Sequence, residues 1–484
     1  MTEHAYHSYR LVASLFVRLL GVFYLIAFLS IAVQIEALAG SQGILPFADR
    51  LAELSREGGI TIYLQVPTLF WLADSDAALF GAAVAGCVFS LLIVVNLMQR
   101  LSLATSFALY LSLYHAGQIF MTFQWDGLLL EAGFLAIFLR PDARVVILLF
   151  RWLLFRLRFM SGLSKLTSQD PSWADLNAVR YYFEVQPLPT PLAWYAHQLP
   201  DWLLRAGTAG TLFVELVVPF LMFLPRRWRL LAAWLTILWQ VLIIVTSNHN
   251  WFNFLTIVLC LFLFDDRALQ RVVPAGLQRR LLPAGGETAA GRPGFGTPGL
   301  LLAGFVLTVS AVHFVELVTL KRSQGPIGVA MDYVEAWRVV NKYHVFPTMP
   351  TERIELAIEG SHDGVQWEPY VFRYKPGPLD RAPPVVMPHH PRLDWRMWFV
   401  PQNPVQLPWF ERFLRALLDN SPPVVALLDS NPFADRAPRF IRVHAYRYRF
   451  TDAESRPATG DWWQRESLGA FLPLPWVSNP APRD

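Results

Sequence analysis

Residues 151–189 read RWLLFRLRFMSGLSKLTSQDPSWADLNAVRYYFEVQPLP, and the first half of that stretch decides the fold. Arg151, Arg158 and Lys165 stand seven residues apart in an otherwise apolar run. Two helical turns return a side chain to within about 20° of its starting direction. The three cations therefore form one stripe, while Leu153, Leu154, Phe155, Leu157 and Phe159 cover much of the remaining surface. A charge in the middle of a bilayer costs about 2.5–3.5 kcal/mol on insertion scales. Three in a row must face protein or a water-filled cavity, which requires a bundle of neighbouring helices. Beyond the stripe come a small-residue break (Ser161, Gly162, Ser164), Trp173, and a Tyr-Tyr-Phe-Glu segment closed by prolines.

The rest of the chain supplies that bundle. Of 484 residues, 54% are hydrophobic and 16% charged, against about 25% charged in an ordinary soluble domain. The deficit lies before residue 320. Apolar runs long enough to cross a bilayer occupy about 11–35, 77–98, 102–123, 205–224, 229–246 and 299–317. Shorter ones occupy about 125–139, 145–160 and 251–264, the first two forming a tight hairpin around RPDAR. The count predicts about nine transmembrane helices. The first run is longer than a signal-peptide core and reads as a retained anchor. Lys and Arg concentrate in alternate loops, which puts the N-terminus inside and the C-terminal part outside.

From about residue 321 the pattern changes. RIELAIEG (353–360) alternates as a half-buried strand and VQWEPYVFRY returns as its hairpin partner. LPWFERFLRALLDN (407–420) is helical, and APRFIRVHAYRYRF (437–450) alternates again. The fold class is therefore an α-helical polytopic membrane domain followed by a β-rich, sandwich-like α+β domain. The boundaries are 1–265 for the membrane domain, 266–298 for a Gly/Pro/Ala-rich inside loop, 299–320 for the last transmembrane helix and 321–484 for the external domain.

Several function classes drop out. The net charge of +4 is small and the cations sit at helix ends, so no nucleic-acid footprint exists. Cys87 and Cys260 both lie in apolar runs, and no CxxC or zinc spacing is present. His389 and His390 are adjacent rather than four apart, so no metal is expected there. GxSxG, P-loop and HExxH motifs are absent, no GxGxxG stands in a strand–helix context, and no cofactor is expected.

The cationic stripe needs anions or water. The candidates are Asp126 and Glu131, which follow Trp125 in QWDGLLLEAGF, and Glu215 in GTLFVELVVPF. Two readings stay open: an ion-pair network that fixes helix rotation, or a binding or reaction cavity opening outward near Lys165. A desolvated lysine can serve as a base or can reach to the interface as an ammonium. Asn248, His249, Asn250 and Asn253 in SNHNWFNFL either line the same cavity or cap a helix. In the C-terminal part, Arg442, His444, Tyr446 and Tyr448 share one face of a strand and form a candidate recognition surface for client proteins.

The motifs QWDGLLLEAGFLAIFL, RFMSGLSKL, DPSWADLNAVRYYFEVQPLPTPLAWY, NHNWFNFLTI, ERIELAIEGSHDGVQWEPYVFRYKPG and PHHPRLDWRMWF together resemble the lipase maturation factor family. The resemblance runs nearly the whole length. It implies a chaperone-like membrane protein without enzymatic activity, assisting folding, assembly or export of client proteins such as secreted lipases, with membrane lipid as a second partner. Animal members reside in the endoplasmic reticulum. The absence of N-x-S/T sequons and the Ala/Leu/Arg/Pro-rich composition point to a bacterial member, with the C-terminal domain in the periplasm. A shorter likeness, FMSGLSKL followed by an acidic residue and Trp173, is similar to a helix of vitamin K-dependent carboxylases. It implies the alternative of a membrane enzyme with Lys165 as base on a quinone or lipid-like substrate.

Overall fold

The computed structural model describes residues 9–140, 143–282, 297–472 and 476–477. The N-terminal region is helical: α1 (Arg10–Ala32), α2 (Asp76–Val94), α3 (Gln99–Ala116), α4 (Gln124–Ile137), α5 (Arg144–Thr167), α6 (Asp201–Leu216), α7 (Arg226–Thr246), α8 (Phe252–Leu259) and α9 (Thr297–Thr319). Among the described residues, five segments are long and apolar enough to cross a membrane: Arg10–Ala32, Asp76–Val94, Asp201–Leu221, Arg226–Thr246 and Thr297–Thr319.

The other expected crossings differ for physical reasons. Helix α4 has 14 residues, about 21 Å against a hydrocarbon core of about 30 Å, and nearly all of it is buried by neighbours. α8 and the 3-10 turn after it form a short apolar helix, Phe252–Leu263. α5, expected to be short, runs for 24 residues; Arg151, Arg156, Arg158 and Lys165 are all buried along it. It is an interior helix whose polar groups meet protein, as the cost of charge in lipid demands. Of the expected hairpin turn, Pro141 and Asp142 lie outside the described residues, as do residues 283–296 of the expected linker. The described part of that linker has a local role: Asp266 accepts the backbone N–H groups of Arg10 (2.8 Å) and Val12 (3.0 Å), satisfying donors at the start of α1.

The C-terminal region contains α10 (Gly325–Ala336), α11 (Arg392–Met397) and α12 (Leu407–Leu418), with strands β1 (Arg353–Ser361), β2 (Glu368–Pro369), β3 (Val371–Phe372), β4 (Leu428–Ser430), β5 (Phe440–Phe450), β6 (Trp463–Ala470) and β7 (Trp476–Val477). The main sheet has the order β2-β1-β5-β6, with β7 also on β5, and β3 pairs separately with β4. β1 and β5 are antiparallel along their length, from Arg353 opposite Tyr448 to Ser361 opposite Phe440. The expected 353–374 hairpin is therefore vestigial. β2 pairs with β1 at two positions, Glu359 opposite Pro369 and Gly360 opposite Glu368, and the Tyr370 N–H adds one bond to the Ile358 carbonyl at 2.9 Å. A five-stranded sheet with a two-stranded ribbon stands where a sandwich was expected. In α12, Trp409, Phe410, Phe413, Leu414 and Leu417 form the buried face, at the spacing an amphipathic helix requires.

Candidate functional site

The site is built on the face of α5 that carries the stripe. Gly162 lets α6 approach: a Cβ there would lie 2.8 Å from Glu215 Cβ and 3.0 Å from Leu216 Cγ. The approach brings Glu215 to both cations, with Arg158 Nη2 at 3.3 Å and Lys165 Nζ at 2.8 Å. Lys165 also donates to the carbonyl oxygens of Val345 (2.7 Å) and Ser161 (3.3 Å), and lies 5.0 Å from the centre of the Trp173 ring. Two cations and one carboxylate leave a net positive charge.

This triad closes the inner end of a cavity of about 350 Å³. Much of the remaining lining is apolar, and four lining residues, Leu199, Leu203, Leu242 and Val245, are 36–48% exposed. The cavity thus opens sideways beside α6 and the end of α7. Polar groups at its wall are buried without hydrogen-bond partners among the described residues: Arg158 Nε, Trp173 Nε1, Gln240 Nε2 and Asn253 Oδ1. Buried polar groups are normally satisfied, so these four atoms mark a place for a ligand or water. An apolar channel with a charged, hydrogen-bonding end is shaped for an amphiphile.

The remaining candidates divide between this cavity and other tasks. Asn253 belongs to the cavity wall and donates to Gln240 Oε1 at 2.7 Å. His249 lines it as well; its Nε2 is 3.2 Å from the Tyr182 hydroxyl, and burial pulls its imidazole down to about 4. Asn250 caps α8, its Oδ1 accepting the Phe252 N–H at 3.0 Å. Asn248 stitches loops, donating to Leu188, Pro189 and Pro384 carbonyls and accepting the Val386 N–H at 2.7 Å. Arg151, at the other end of the stripe, meets Tyr9 and the Phe262 carbonyl and stays clear of the triad.

Asp126 and Glu131 do not meet the stripe, and this corrects the expectation. Asp126 forms a two-pronged pair with Arg392 of α11 at 2.8 and 3.1 Å and accepts the Tyr110 hydroxyl at 2.5 Å. Burial pulls the Arg392 guanidinium down, but Asp126 and Tyr110 outweigh it and hold it above its usual range. Glu131 pairs with Arg156 and accepts from the Asn341 backbone N–H (2.9 Å) and the Tyr343 hydroxyl (2.8 Å). Both carboxylates thus clamp the C-terminal region to the helices. Sequence reasoning missed Arg156, Arg392, Gln240, Asn341 and Tyr343. Arg156 had a signal, since it is two residues from Arg158 and so points about 160° away, giving α5 a second polar face. Trp125 stacks on Phe123 at 4.6 Å and packs edge-on against Trp395 at 5.0 Å, beside a second cavity.

On β5, Arg442 pairs with Glu359 at 2.6 Å and lies 4.3 Å from the centre of the Trp367 ring; Arg465 covers Tyr446 at 4.5 Å. His444 stacks alongside Tyr446. These are half-buried. Tyr448 is not part of that surface: it is 3% exposed, packs on Trp463 and donates to the Gly377 carbonyl at 2.8 Å.

The comparisons with known proteins agree across both regions. The lipase maturation factor transmembrane domain matches residues 11–271 and the lipase maturation factor C-terminal domain matches residues 339–473. The chain belongs to the lipase maturation factor family. Lipase maturation factor 2 of Gallus gallus is 34% identical, the match covering 96% of this chain and 81% of the relative. Lipase maturation factor 1 of Mus musculus is 35% identical over 94% of this chain and 85% of its own length. Human lipase maturation factor 2 is 32% identical over 97% and 83%. No solved structure matches the chain. These family members are animal proteins, so the bacterial assignment gains no support, and neither does the likeness to vitamin K-dependent carboxylases. The family and the apolar helices make this a membrane protein.

Proposed function

We propose that this membrane protein acts in the maturation of lipases, holding clients on its C-terminal sheet while its helical region binds membrane lipid. The observation that carries this reading is the likeness to lipase maturation factors 1 and 2 over 94–98% of the chain, through both regions. In this reading residues 1–265 are the membrane domain, 266–298 an inside loop, 299–320 the last crossing and 321–484 the client-binding domain outside the cytoplasm. The surface of Arg442, His444 and Tyr446 supplies half-buried aromatic and guanidinium groups, which suit exposed apolar surface on an incompletely assembled client. The cavity at Glu215 takes the acyl part of a lipid against its leucines and the polar part at the triad.

The geometry at Lys165 favours binding over proton abstraction. Glu215, the Ser161 carbonyl and the Val345 carbonyl surround its amine. Three acceptors match the three donors of an ammonium, whereas a base needs a free lone pair.

The test is complementation. Cells that lack their own lipase maturation factors and express a secreted lipase receive this chain or an empty vector. Higher specific activity of the secreted lipase with the chain supports the reading. Equal activity with both, from a chain that is membrane-inserted, overturns it.

A further inference from the structure

A second cavity, of about 540 Å³, lies where the C-terminal region meets the helix ends. Its wall combines α4 residues such as Trp125 with Arg338, just past α10, and with Trp395, Arg396 and Trp398 on and beside α11. It shares His249, Phe252, Val345 and Phe346 with the first cavity, the His249 and Phe346 rings stacking at 5.5 Å as part of the partition.

Its charge is one-sided. Among the described residues no aspartate or glutamate lines it, while Arg338, Lys342 and Arg396 do. Lys342 is balanced by Glu316 and Glu335. The two arginines make no ion pair among the described residues. Arg396 is 6% exposed, donates to Thr122 Oγ1 at 3.1 Å and lies 4.4 Å from the centre of the Phe123 ring. Its Nε has no partner, and neither has Arg338 Nε or Trp125 Nε1. Asp126, whose charge reaches Arg396, is already committed to Arg392 and Tyr110. Burial and the Arg392 charge pull the Arg396 guanidinium down to about 9, so it is still a cation at neutral pH. A buried cation without an anion is costly, and two guanidinium groups with an indole donor are the equipment that binds phosphate or carboxylate.

We propose that this cavity binds a phosphate group between Arg338 and Arg396, with the apolar part of the same ligand against Trp395, Trp398 and Phe346. A phospholipid headgroup and a free phosphate share that chemistry. The surroundings favour the lipid: α10, which leads directly to Arg338, follows α9, a helix long and apolar enough to cross a membrane, and exposes Ile327 and Val329 (59% and 57%), apolar surface beside the cavity's approach. The inference stands on this cavity alone and does not depend on the lipase reading.

The experiment uses the full chain in a non-ionic detergent. Phosphatidylglycerol, phosphatidylcholine and inorganic phosphate are added separately, with bound mass read by native mass spectrometry and Tm by light scattering. The proposal expects phosphatidylglycerol to be retained at least tenfold more than phosphatidylcholine. Arg338→Gln with Arg396→Gln should abolish the preference, and Arg396→Lys should keep most of it. A Tm rise with inorganic phosphate alone, lost in the same double variant, supports the site with a free anion as its ligand. If the double variant fails to fold, the half-buried Arg338 carries the test by itself as Arg338→Gln. A wild type that prefers neither the anionic lipid nor phosphate overturns the proposal, as does a preference unchanged in the folded variants. Binding of a Glu-rich peptide with indifference to both phosphate sources also overturns it.

Discussion

Asp126 and Glu215 are both buried carboxylates facing arginine, yet their surroundings differ. At Asp126 both oxygens end on donors, two from Arg392 and one from Tyr110, in a site that is 0% exposed. At Glu215 the carboxylate faces Arg158 and Lys165 across the end of a cavity whose wall still holds unpartnered donors and an acceptor. The first is a closed clamp between the two regions of the chain. The second is an open centre that leaves room for another molecule. The difference teaches that a buried ion pair is assigned a role by its unused hydrogen-bonding capacity and the adjoining space, since its residue types are the same in either case.

The largest effect expected from that contrast is at the clamp. Arg392→Met leaves Asp126 buried without its cation, and should cost about 3–5 kcal/mol, read by denaturant unfolding in detergent. A loss below about 1 kcal/mol would remove the distinction. Lys165→Met is expected to cost less, about 1.5–3 kcal/mol, because Arg158 still faces Glu215 and the cavity can admit water. The same variant should lower co-purifying lipid, counted by mass spectrometry, which Arg392→Met in the folded fraction should not do through this cavity.

Smaller still is a pH effect at the junction of the regions. His389 Nδ1 lies 3.0 Å from Ser30 Oγ at the end of α1, and burial with Arg392 and Arg373 nearby pulls its imidazole down to about 4. The unfolded chain binds a proton there near its ordinary value of about 6.5. The contribution is therefore complete above about pH 6.5 and fades as the pH falls toward 4, by about 1 kcal/mol once partial exposure is allowed for. His389→Gln should flatten that part of the stability–pH curve. The smallest effect on folding belongs to Arg442→Ala, below about 1 kcal/mol because its pair with Glu359 is partly exposed. Its expected consequence is on lipase activity in the complementation assay.

The seven-residue spacing in residues 151–165 makes the polar face of an interior helix legible in the sequence, and Glu215 belongs to the set of candidate anions. The partners that Asp126 and Glu131 find in the C-terminal region were not legible. Arg392, Asn341 and Tyr343 lie more than 200 positions away, and periodicity within a helix carries no information about so distant a contact. The hairpin at 353–374 misled because alternation identifies a strand without naming its neighbour; β2 holds two positions on one edge of β1, while β5 pairs with the other edge along its whole length. The second half of the opening stretch also found its role only in the fold. The carbonyls of Glu184, Gln186 and Pro187 accept from the buried Arg353 of β1, and Val185 accepts from the Trp398 indole at 2.6 Å. Arg158 and Lys165 thus serve the cavity, and residues 184–187 receive the C-terminal region.

Hydrogen exchange on the full chain, comparing Arg392→Met with Lys165→Met, tests the contrast between clamp and open centre most directly. Arg392→Met should speed exchange in α11 and in residues 341–343 while α6 is unchanged. Lys165→Met should do the reverse, with faster exchange at the α5–α6 contact around Gly162 and an unchanged α11. Equal exchange profiles in the two variants would contradict that contrast.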